Sequence, residues 1–192
     1  MKEKKTSYIR IAVLSAALIL SSSAARAAGT GYTIPIVDLA AQEQHRVVVD
    51  REPGVYLGHP TTVLLEDGRS VIVVYPKGHG SGGIIMKRSA DGGLTWSGRM
   101  ATPPSWDSSK EVPTIFRAIG PDGKKRLLLF SGLYPIRLSV SEDDGATWSE
   151  LKQIGKYGGI VAMSSMLRLA DGSYMALFHD DGRFFKGLGP LG

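Results

Sequence analysis

The sequence predicts an all-β fold built from a repeated antiparallel unit. Its clearest feature is an eight-residue motif, Ser89–Trp96, which recurs as Ser141–Trp148 with five identical positions and an offset of 52 residues. Around these motifs, short apolar runs alternate with turn sequences rich in Gly, Asp and Pro, as strands and hairpins require. The turn glycines Gly68 and Gly172 are 104 residues apart, which is two periods of the same repeat.

The motif itself predicts a hairpin turn. It reads Ser-Ala-Asp-Gly-Gly-Leu-Thr-Trp in the first copy and Ser-Glu-Asp-Asp-Gly-Ala-Thr-Trp in the second. The shared acid, Asp91 or Asp143, can accept hydrogen bonds from backbone N–H groups at the tip. The shared Gly tolerates a positive φ. The shared Trp is expected to begin the next strand and to pack between neighbouring sheets.

The first repeat contains three predicted strands. These are Thr61–Leu65, Ser70–Tyr75 and Ile84–Ser89, joined by the turn Glu66–Gly68 and the Gly-rich loop Pro76–Gly83. The middle run, Ser-Val-Ile-Val-Val-Tyr, is apolar at nearly every position, which predicts a strand buried on both faces.

The second and third repeats follow the same order. The predicted strands of the second repeat are Pro113–Ala118, Arg126–Phe130 and Ile136–Ser141, with Trp106-Asp107 in the connection that precedes them. Those of the third are Met163–Leu169 and Ser173–His179, and no third octapeptide follows. The closing segment, Phe184–Gly192, reads as a tail.

The spacing Ser-x-Asp-x-Gly-x-Thr-Trp resembles the Asp box, or BNR repeat, of the sialidase (neuraminidase) superfamily, and Lys87–Ser97 is similar to that family's first blade. The similarity extends from Tyr56 to Arg183. It implies a partial six-bladed sialidase-type β-propeller, with about two and a half blades of four-stranded antiparallel sheet. In that family the Asp boxes are structural turns away from the active site. Because further blades are needed to close such a ring, we expect a truncated or frameshifted form of a longer protein.

The start of the chain predicts export. Residues 1–27 read as a signal peptide, with a Lys-rich beginning, the apolar run Ile11–Leu20 and a small-residue cleavage site at Ala25–Ala27. Its removal takes five basic residues and one acidic residue from totals of 23 and 18, so the remaining charge indicates neither nucleic acid nor membrane binding. We therefore expect a secreted or periplasmic protein without a stable membrane anchor after cleavage. Residues 28–55 form an N-terminal segment with a candidate closing strand at Arg46–Asp50, and residues 56–192 hold the repeats.

Antiparallel order places the start of the first strand, the end of the second and the start of the third on one side of each sheet. The octapeptides fall on the other side. Polar side chains collect at the first set of positions, and loops on a rigid scaffold are where sites usually lie. They are His59, Lys77, His79, Glu111, Tyr134, Arg137, Ser164, Ser165, His179, Asp180, Asp181 and Arg183.

These residue types suit glycoside hydrolysis, which needs a carboxylic acid to protonate the leaving oxygen and a second group as base or nucleophile. The catalytic candidates are Asp181, Asp180 and Glu111, because two adjacent carboxylates, or one beside His179, can raise a pKa toward neutrality. No cofactor is expected. Four scattered His and no Cys give no metal-ligand spacing.

The substrate-binding candidates are cations and ring side chains. Arg137, Arg183 and Lys77 suit an acidic sugar, the two arginines through bidentate contact with a carboxylate. The others are His59, His79, Tyr134 and His179.

Several of these candidates also have a structural interpretation. Asp180-Asp181-Gly182 is a good turn sequence, and His59 before Pro60 is open to interpretation as a satisfied loop histidine. The other structural readings are a solvated loop for Lys77 and His79, an exposed ion pair of Glu111 with Lys110, and a packed loop aromatic for Tyr134.

The resemblance implies an exported exo-glycoside hydrolase, exo-α-sialidase-like, that acts on terminal glycan sugars, acidic ones among them. The family's Arg-Ile-Pro motif corresponds to Gly58–Pro60, which has no Arg, and its acid/base Asp would fall in Pro76–Gly83, which has no acid. No catalytic residue therefore carries over by motif. Two alternatives stay open: a non-catalytic glycan- or protein-binding propeller, and an inactive fragment of the longer enzyme.

Overall fold

The computed structural model describes residues 35–79, 82–110, 112–131, 135–155 and 160–179 of the 192-residue chain. The chain divides into two compact units, Met1–Ala41 and Gln42–Gly192. The described part of the first unit, residues 35–41, has neither helix nor strand. The predicted signal peptide lies outside the described residues, and the helices among those residues include none long and apolar enough to span a membrane.

The second unit is mostly β. Its strands are β1 Thr61–Leu64, β2 Val71–Pro76, β3 Ile84–Ser89, β4 Thr114–Ile119, β5 Lys125–Ser131, β6 Arg137–Ser141, β7 Lys152–Gln153, β8 Ile160–Arg168 and β9 Tyr174–His179. They form three antiparallel sheets with the orders β1–β2–β3, β4–β5–β6–β7 and β8–β9. Two short 3-10 helices, Glu43–His45 and Pro104–Trp106, are the only helices of the described residues.

The predicted strands of the three repeats are confirmed, with ends that shift by up to three residues. The prediction that each shared Trp begins the next strand is wrong. Trp96 and Trp148 belong to no strand, the first sheet has three strands, and the fourth strand of the second sheet, β7, begins at Lys152. Isolated backbone bonds follow each Trp, from Ser97 N to Arg88 O at 2.8 Å and from Ser149 N to Val140 O at 2.9 Å.

The strand register gives each sheet two distinct ends. Pro76, at the end of β2, is paired with Ile84 at the start of β3. The equivalent pairs in the other sheets are Ser131–Arg137 and Ile160–His179. We call this end of each sheet the rim. The octapeptides follow β3 and β6 at the opposite end, as the sequence predicts.

Both octapeptides form the same hydrogen-bonded turn. Ser89 Oγ accepts from Gly93 N at 2.8 Å and donates to Asp91 Oδ1 at 2.7 Å. The Asp91 carboxylate then accepts from Thr95 N at 2.9 Å and from Thr95 Oγ1 at 2.6 Å. The four equivalent bonds of the second octapeptide, made by Ser141, Asp143, Gly145 and Thr147, measure 2.9, 2.8, 2.9 and 2.5 Å.

The first strands of the three sheets lie side by side in chain order. β1 contacts β4, and β4 contacts β8. At the rim, Thr61 Oγ1 donates to Pro113 O at 3.0 Å. Towards the other end, Arg117 donates to Leu64 O at 2.8 Å, and Ile119 N donates to the Tyr174 hydroxyl at 2.8 Å. Each repeat is therefore bonded to the next one along the chain.

The main core lies between the first and second sheets. Ile72, Val74 and Met86 from the first sheet belong to the same cluster as Leu127 and Leu129 from the second. Trp106, in the connection between the sheets as predicted, is fully buried in this cluster. Its Nε1 donates to Ser139 Oγ at 3.3 Å. Burial of these apolar side chains is the main force that holds the two repeats together.

The opposite face of the first sheet contacts the N-terminal segment. Tyr75 and Lys87 alternate with the core residues along β2 and β3, so they point to this other face. The Tyr75 hydroxyl donates to Asp50 Oδ2 at 2.5 Å, and Lys87 Nζ donates to Val49 O. The prediction of a strand at Arg46–Asp50 is wrong, because side chains of the sheet bind the polar groups of this segment and no strand ladder forms there.

Candidate functional site

Two predicted site histidines meet at the rim of the first sheet. His59 lies before β1 and His79 after β2, and their ring centroids are 4.7 Å apart. Tyr56 packs edge-on against both rings, at 6.0 Å from His59 and 5.9 Å from His79. The loops are tied together by the backbone, because Gly78 N donates to Tyr56 O at 3.0 Å. The structure thus assembles a cluster of three polar rings from two separate loops.

His59 combines backbone strain with an open hydrogen-bonding position. Its φ of 52° lies in the left-handed region, which residues other than Gly rarely adopt. Its Nδ1 is buried and has no hydrogen-bond partner among the described residues. Strained residues and unsatisfied buried polar atoms concentrate at functional sites. His59 therefore remains the strongest site candidate of the first repeat.

Lys77, at the same rim, is paired with an acid of the N-terminal segment. Its Nζ lies 2.8 Å from Glu52 Oε1, and the other oxygen of Glu52 lies 2.7 Å from Arg99. Hydrogen bonds from Lys77 and then Arg99 hold the pKa of Glu52 below its ordinary value. A substrate anion that binds Lys77 must compete with this carboxylate.

Asp50 completes the same charge network. Burial alone would raise the pKa of Asp50, but hydrogen bonds from Arg99 and Tyr75 more than offset that effect and lower it to about 2. A general acid needs a pKa near the working pH. Asp50 and Glu52 are ionised at neutral pH, so they fit a structural role better than proton transfer.

A polar cavity of about 220 Å³ lies at the rim of the second sheet. Predicted Arg137 lines it, together with Ser105, Ser108, Ser109, Ser131 and Leu151. Arg137 and Ser131 are partners in the register of β5 and β6, and the other three serines belong to the connection from the first sheet. Among the described residues, the Arg137 guanidinium donates one long hydrogen bond, of 3.4 Å, to Pro135 O.

Other predicted residues are placed only in part. Glu111, Tyr134, Asp180, Asp181 and Arg183 lie outside the described residues, and their roles stay predictions. His179 ends β9 at the rim, where its backbone pairs with Ile160. Ser164 and Ser165 were expected at the start of a strand, and this is wrong, because β8 begins earlier and contains both in its interior.

Sequence reasoning missed Tyr56 and the serines of the cavity. Tyr56 precedes the first predicted strand by several residues, and only the folded loop brings it to the histidines. The sequence does contain a pattern that could have indicated the serines, because Ser105–Ser109 reads Ser-Trp-Asp-Ser-Ser in the connection that leads to the predicted rim. The sequence predicts only that Trp106-Asp107 belongs to the connection between repeats, whereas the serines of the same run line the cavity.

Comparisons with known proteins leave the family open. No protein-family model matches the chain. No curated protein matches it either. Function must therefore be inferred from the rim and the octapeptides themselves.

Proposed function

We propose that this chain is an exported, sialidase-like exo-glycoside hydrolase that acts on terminal sugars of glycans, acidic sugars among them. In this proposal the 52-residue repeats are consecutive blades of a sialidase-type propeller, and substrate binds at the rim. The signal-peptide pattern of residues 1–27 supports a secreted or periplasmic location. The proposal includes no cofactor and no metal.

One observation carries the proposal: the octapeptides and the polar loop residues lie at opposite ends of the same sheets. The octapeptides resemble Asp boxes, which face away from the active site in the sialidase superfamily. The contacts of β1 with β4 and of β4 with β8 support a radial order of the repeats, as blades require. A rim that collects His59, His79 and Arg137 fits the substrate side of such an arrangement.

The proposed chemistry divides the candidate residues into two groups. Asp181, Asp180 and Glu111 supply the acid that protonates the leaving oxygen and the second group that acts as base or nucleophile. Arg137 binds the negative charge of an acidic sugar through its planar guanidinium. His59 and His79 contact the sugar through their imidazole nitrogens.

A fluorogenic sialoside assay on the full chain tests the proposal. The wild-type chain should release the fluorophore, and Asp181→Asn and Glu111→Gln should each lower the rate by about 100-fold or more, the range typical of a lost general acid or base. Asp171→Asn is the matched control, because Asp171 lies in a turn at the opposite end of the third sheet, where it accepts from Ser173 N at 2.9 Å. Wild-type rates in both site variants would remove these residues, and no release by the wild-type chain would reject hydrolysis of sialosides.

A non-catalytic glycan-binding propeller is the second candidate. It is favoured by the state of the acids beside the described part of the rim, because Asp50 and Glu52 are both paired with cations and have lowered pKa values. The same preparation separates the two functions: saturable binding of a sialoside without turnover indicates a binding protein. Neither binding nor turnover indicates an inactive fragment.

A further inference from the structure

We infer that the serine-lined cavity beside Arg137 is an oxyanion-binding pocket that accepts the sulfate ester or carboxylate group of an acidic sugar. The sugar as natural ligand rests on the function proposed above, whereas oxyanion binding itself requires no turnover. The inference depends on one spare hydroxyl proton and on the Arg137 guanidinium, neither of which has a strong acceptor among the described residues.

The first donor comes from a pair of buried hydroxyl groups. Ser109 and Ser131 are 5% and 0% exposed, and their Oγ atoms are in hydrogen-bonding contact. Each hydroxyl has one proton, and the bond between them uses only one of the two. No acceptor for the second proton is found among the described residues, so this proton is available to a ligand in the cavity.

Ser105 and Ser108 already have partners. Ser105 Oγ accepts from Leu151 N at 2.8 Å, and the Ser105 side chain is hydrogen-bonded to the carboxylate of Glu150, which lowers the pKa of that acid. Ser108 Oγ donates to Ser105 O at 3.2 Å. The spare proton of the Ser109–Ser131 pair is therefore the hydroxyl donor that the described residues leave to a ligand.

Arg137 adds a positive charge that the described residues leave without a carboxylate. It is half-buried, and none of the described residues that line the cavity with it is acidic. Arg99, which follows the first octapeptide, is by contrast paired with two carboxylates, at 2.8 and 2.7 Å. Partial burial of an unpaired cation is unfavourable, so an anion from solution would stabilise this site. Charge-assisted bonds to such an anion are about twice as strong as neutral ones.

The cavity has room for the group. Its volume of about 220 Å³ is several times the roughly 30 Å³ that one water occupies in the liquid. An oxyanion and a few waters therefore fit together. Arg137 would provide charge and a planar fork, and the Ser109–Ser131 pair would donate to another oxygen of the anion.

Isothermal titration of the full chain with sodium sulfate, at constant ionic strength, tests the pocket. Arg137→Gln should weaken sulfate binding by about tenfold or more, and Ser131→Ala by about threefold. Arg117→Gln is the matched control, because it removes the same charge from the opposite end of the second sheet, where Arg117 contacts Glu66 at 3.2 Å. Its affinity should stay within about twofold of wild type, since long-range charge effects are screened at this ionic strength.

Further titrations identify the natural group. N-acetylneuraminic acid carries a carboxylate, N-acetylglucosamine 6-sulfate carries a sulfate ester, and N-acetylglucosamine is the neutral control. The pocket is supported if either acidic sugar binds more tightly than the neutral one and if Arg137→Gln removes this preference. The acidic sugar that binds more tightly then identifies the group that the pocket accepts. Hydrolysis is not measured in these titrations, so a failed sialoside assay would leave the pocket standing.

Two results would overturn the inference. One is no saturable sulfate binding by the wild-type chain, and the other is equal affinity in wild type, Arg137→Gln and Arg117→Gln. Near-UV circular dichroism checks that each variant is folded. If Arg137→Gln is unfolded, Arg137→Lys replaces it, because Lys keeps the charge but loses the fork. If Arg137→Lys and Ser131→Ala then each bound sulfate as tightly as the wild-type chain, the pocket would be contradicted.

Discussion

The two octapeptides have the same internal hydrogen bonds but very different surroundings. In the second, Gly145 is packed against the first sheet so closely that an added Cβ would lie 2.3 Å from Ile72 Cδ1. In the first, the nearest atom to a Cβ at Gly93 would be 3.7 Å away, in Trp96 of the same turn. The turn is therefore encoded within eight residues, whereas its burial depends on the neighbouring repeat.

The tryptophans show the same difference. Trp96 donates its Nε1 proton to Gly93 O at 3.0 Å, within its own turn. Trp148 packs against the main core with its ring centroid 5.2 Å from that of Trp106, and its buried Nε1 has no partner among the described residues. Packing against the first repeat has replaced the local hydrogen bond. Identical sequence positions thus stabilise the fold in two different ways.

Substitution of the two tryptophans should show the largest difference between the two octapeptides. Trp148→Ala is expected to lower the free energy of unfolding by about 3 kcal/mol, because it leaves a cavity between the two sheets. Trp96→Ala should cost only about 1 kcal/mol, the value of one local hydrogen bond. Urea unfolding followed by fluorescence of the remaining tryptophans measures both, and equal losses would contradict the difference in packing.

Alanine at the two glycines separates backbone strain from packing. Both glycines have positive φ, 94° at Gly93 and 82° at Gly145, so each substitution should cost about 1 kcal/mol in strain. Gly145→Ala should cost about 1 to 2 kcal/mol more, because the methyl group clashes with Ile72 in a packed core.

The double variant Gly145→Ala/Ile72→Val isolates that clash. Val lacks the Cδ1 atom that the new methyl would meet, so the double variant should be less destabilised than the sum of the two single variants. Urea midpoints of the four proteins complete the cycle. If the losses of the two single variants simply add up in the double variant, the Ile72 side chain does not clash with the new methyl group.

Substitution of the two serines should, in contrast, affect both octapeptides equally. Ser89 and Ser141 are each 1% exposed and make the same three bonds in their turns. Each change to Ala should therefore cost a similar amount, about 1 to 2 kcal/mol, since both leave the Gly N–H and the Asp carboxylate of the turn without their hydroxyl partner. A much larger loss at Ser141 would mean that the neighbouring repeat also shapes the turn itself.

The smallest expected effect is on acid stability. Hydrogen bonds from the side chain and backbone of Thr95 lower the pKa of Asp91 from 3.8 to about 2, and Thr147 lowers that of Asp143 in the same way. Because these folded-state pKa values are below the unfolded ones, the ionised acids stabilise the fold above about pH 4 and lose this effect as the pH falls, toward about pH 2 in the case of Asp91. Asp91→Asn and Asp143→Asn should each make the melting temperature fall less steeply as the pH is lowered over that range. A steeper fall in either variant would contradict the stabilising role of the ionised acid.

The sequence predicts the strands well because each repeat carries its own turn signals and apolar runs. Ile84–Ser89 is observed at the predicted bounds, and both octapeptides form the predicted turn. The failure at Arg46–Asp50 has a physical cause: a Val-rich run indicates a strand, but Asp50 is bound by Tyr75 and Arg99 instead. Such side-chain bonds join residues 25 and 49 positions apart, and no local pattern reveals them.

The candidate site was predicted less fully than the fold. Antiparallel order is enough to place His59, His79 and Arg137 at the rim, because it depends only on strand direction. The pairing of Lys77 with Glu52 and the serines beside Arg137 depend on how loops fold over the rim. Loop conformation is set by contacts between distant segments, which is why a single sequence predicted the position of the site but not its lining.

The central claim is that ligand binds at the rim while the octapeptides serve as structural turns. Amide chemical-shift mapping during titration of the full chain with N-acetylneuraminic acid tests it most directly. We predict concentration-dependent shifts at His59, His79, Ser131 and Arg137, and none at Gly93 or Gly145. Shifts confined to the two octapeptide glycines, with the rim amides unmoved, would contradict the claim.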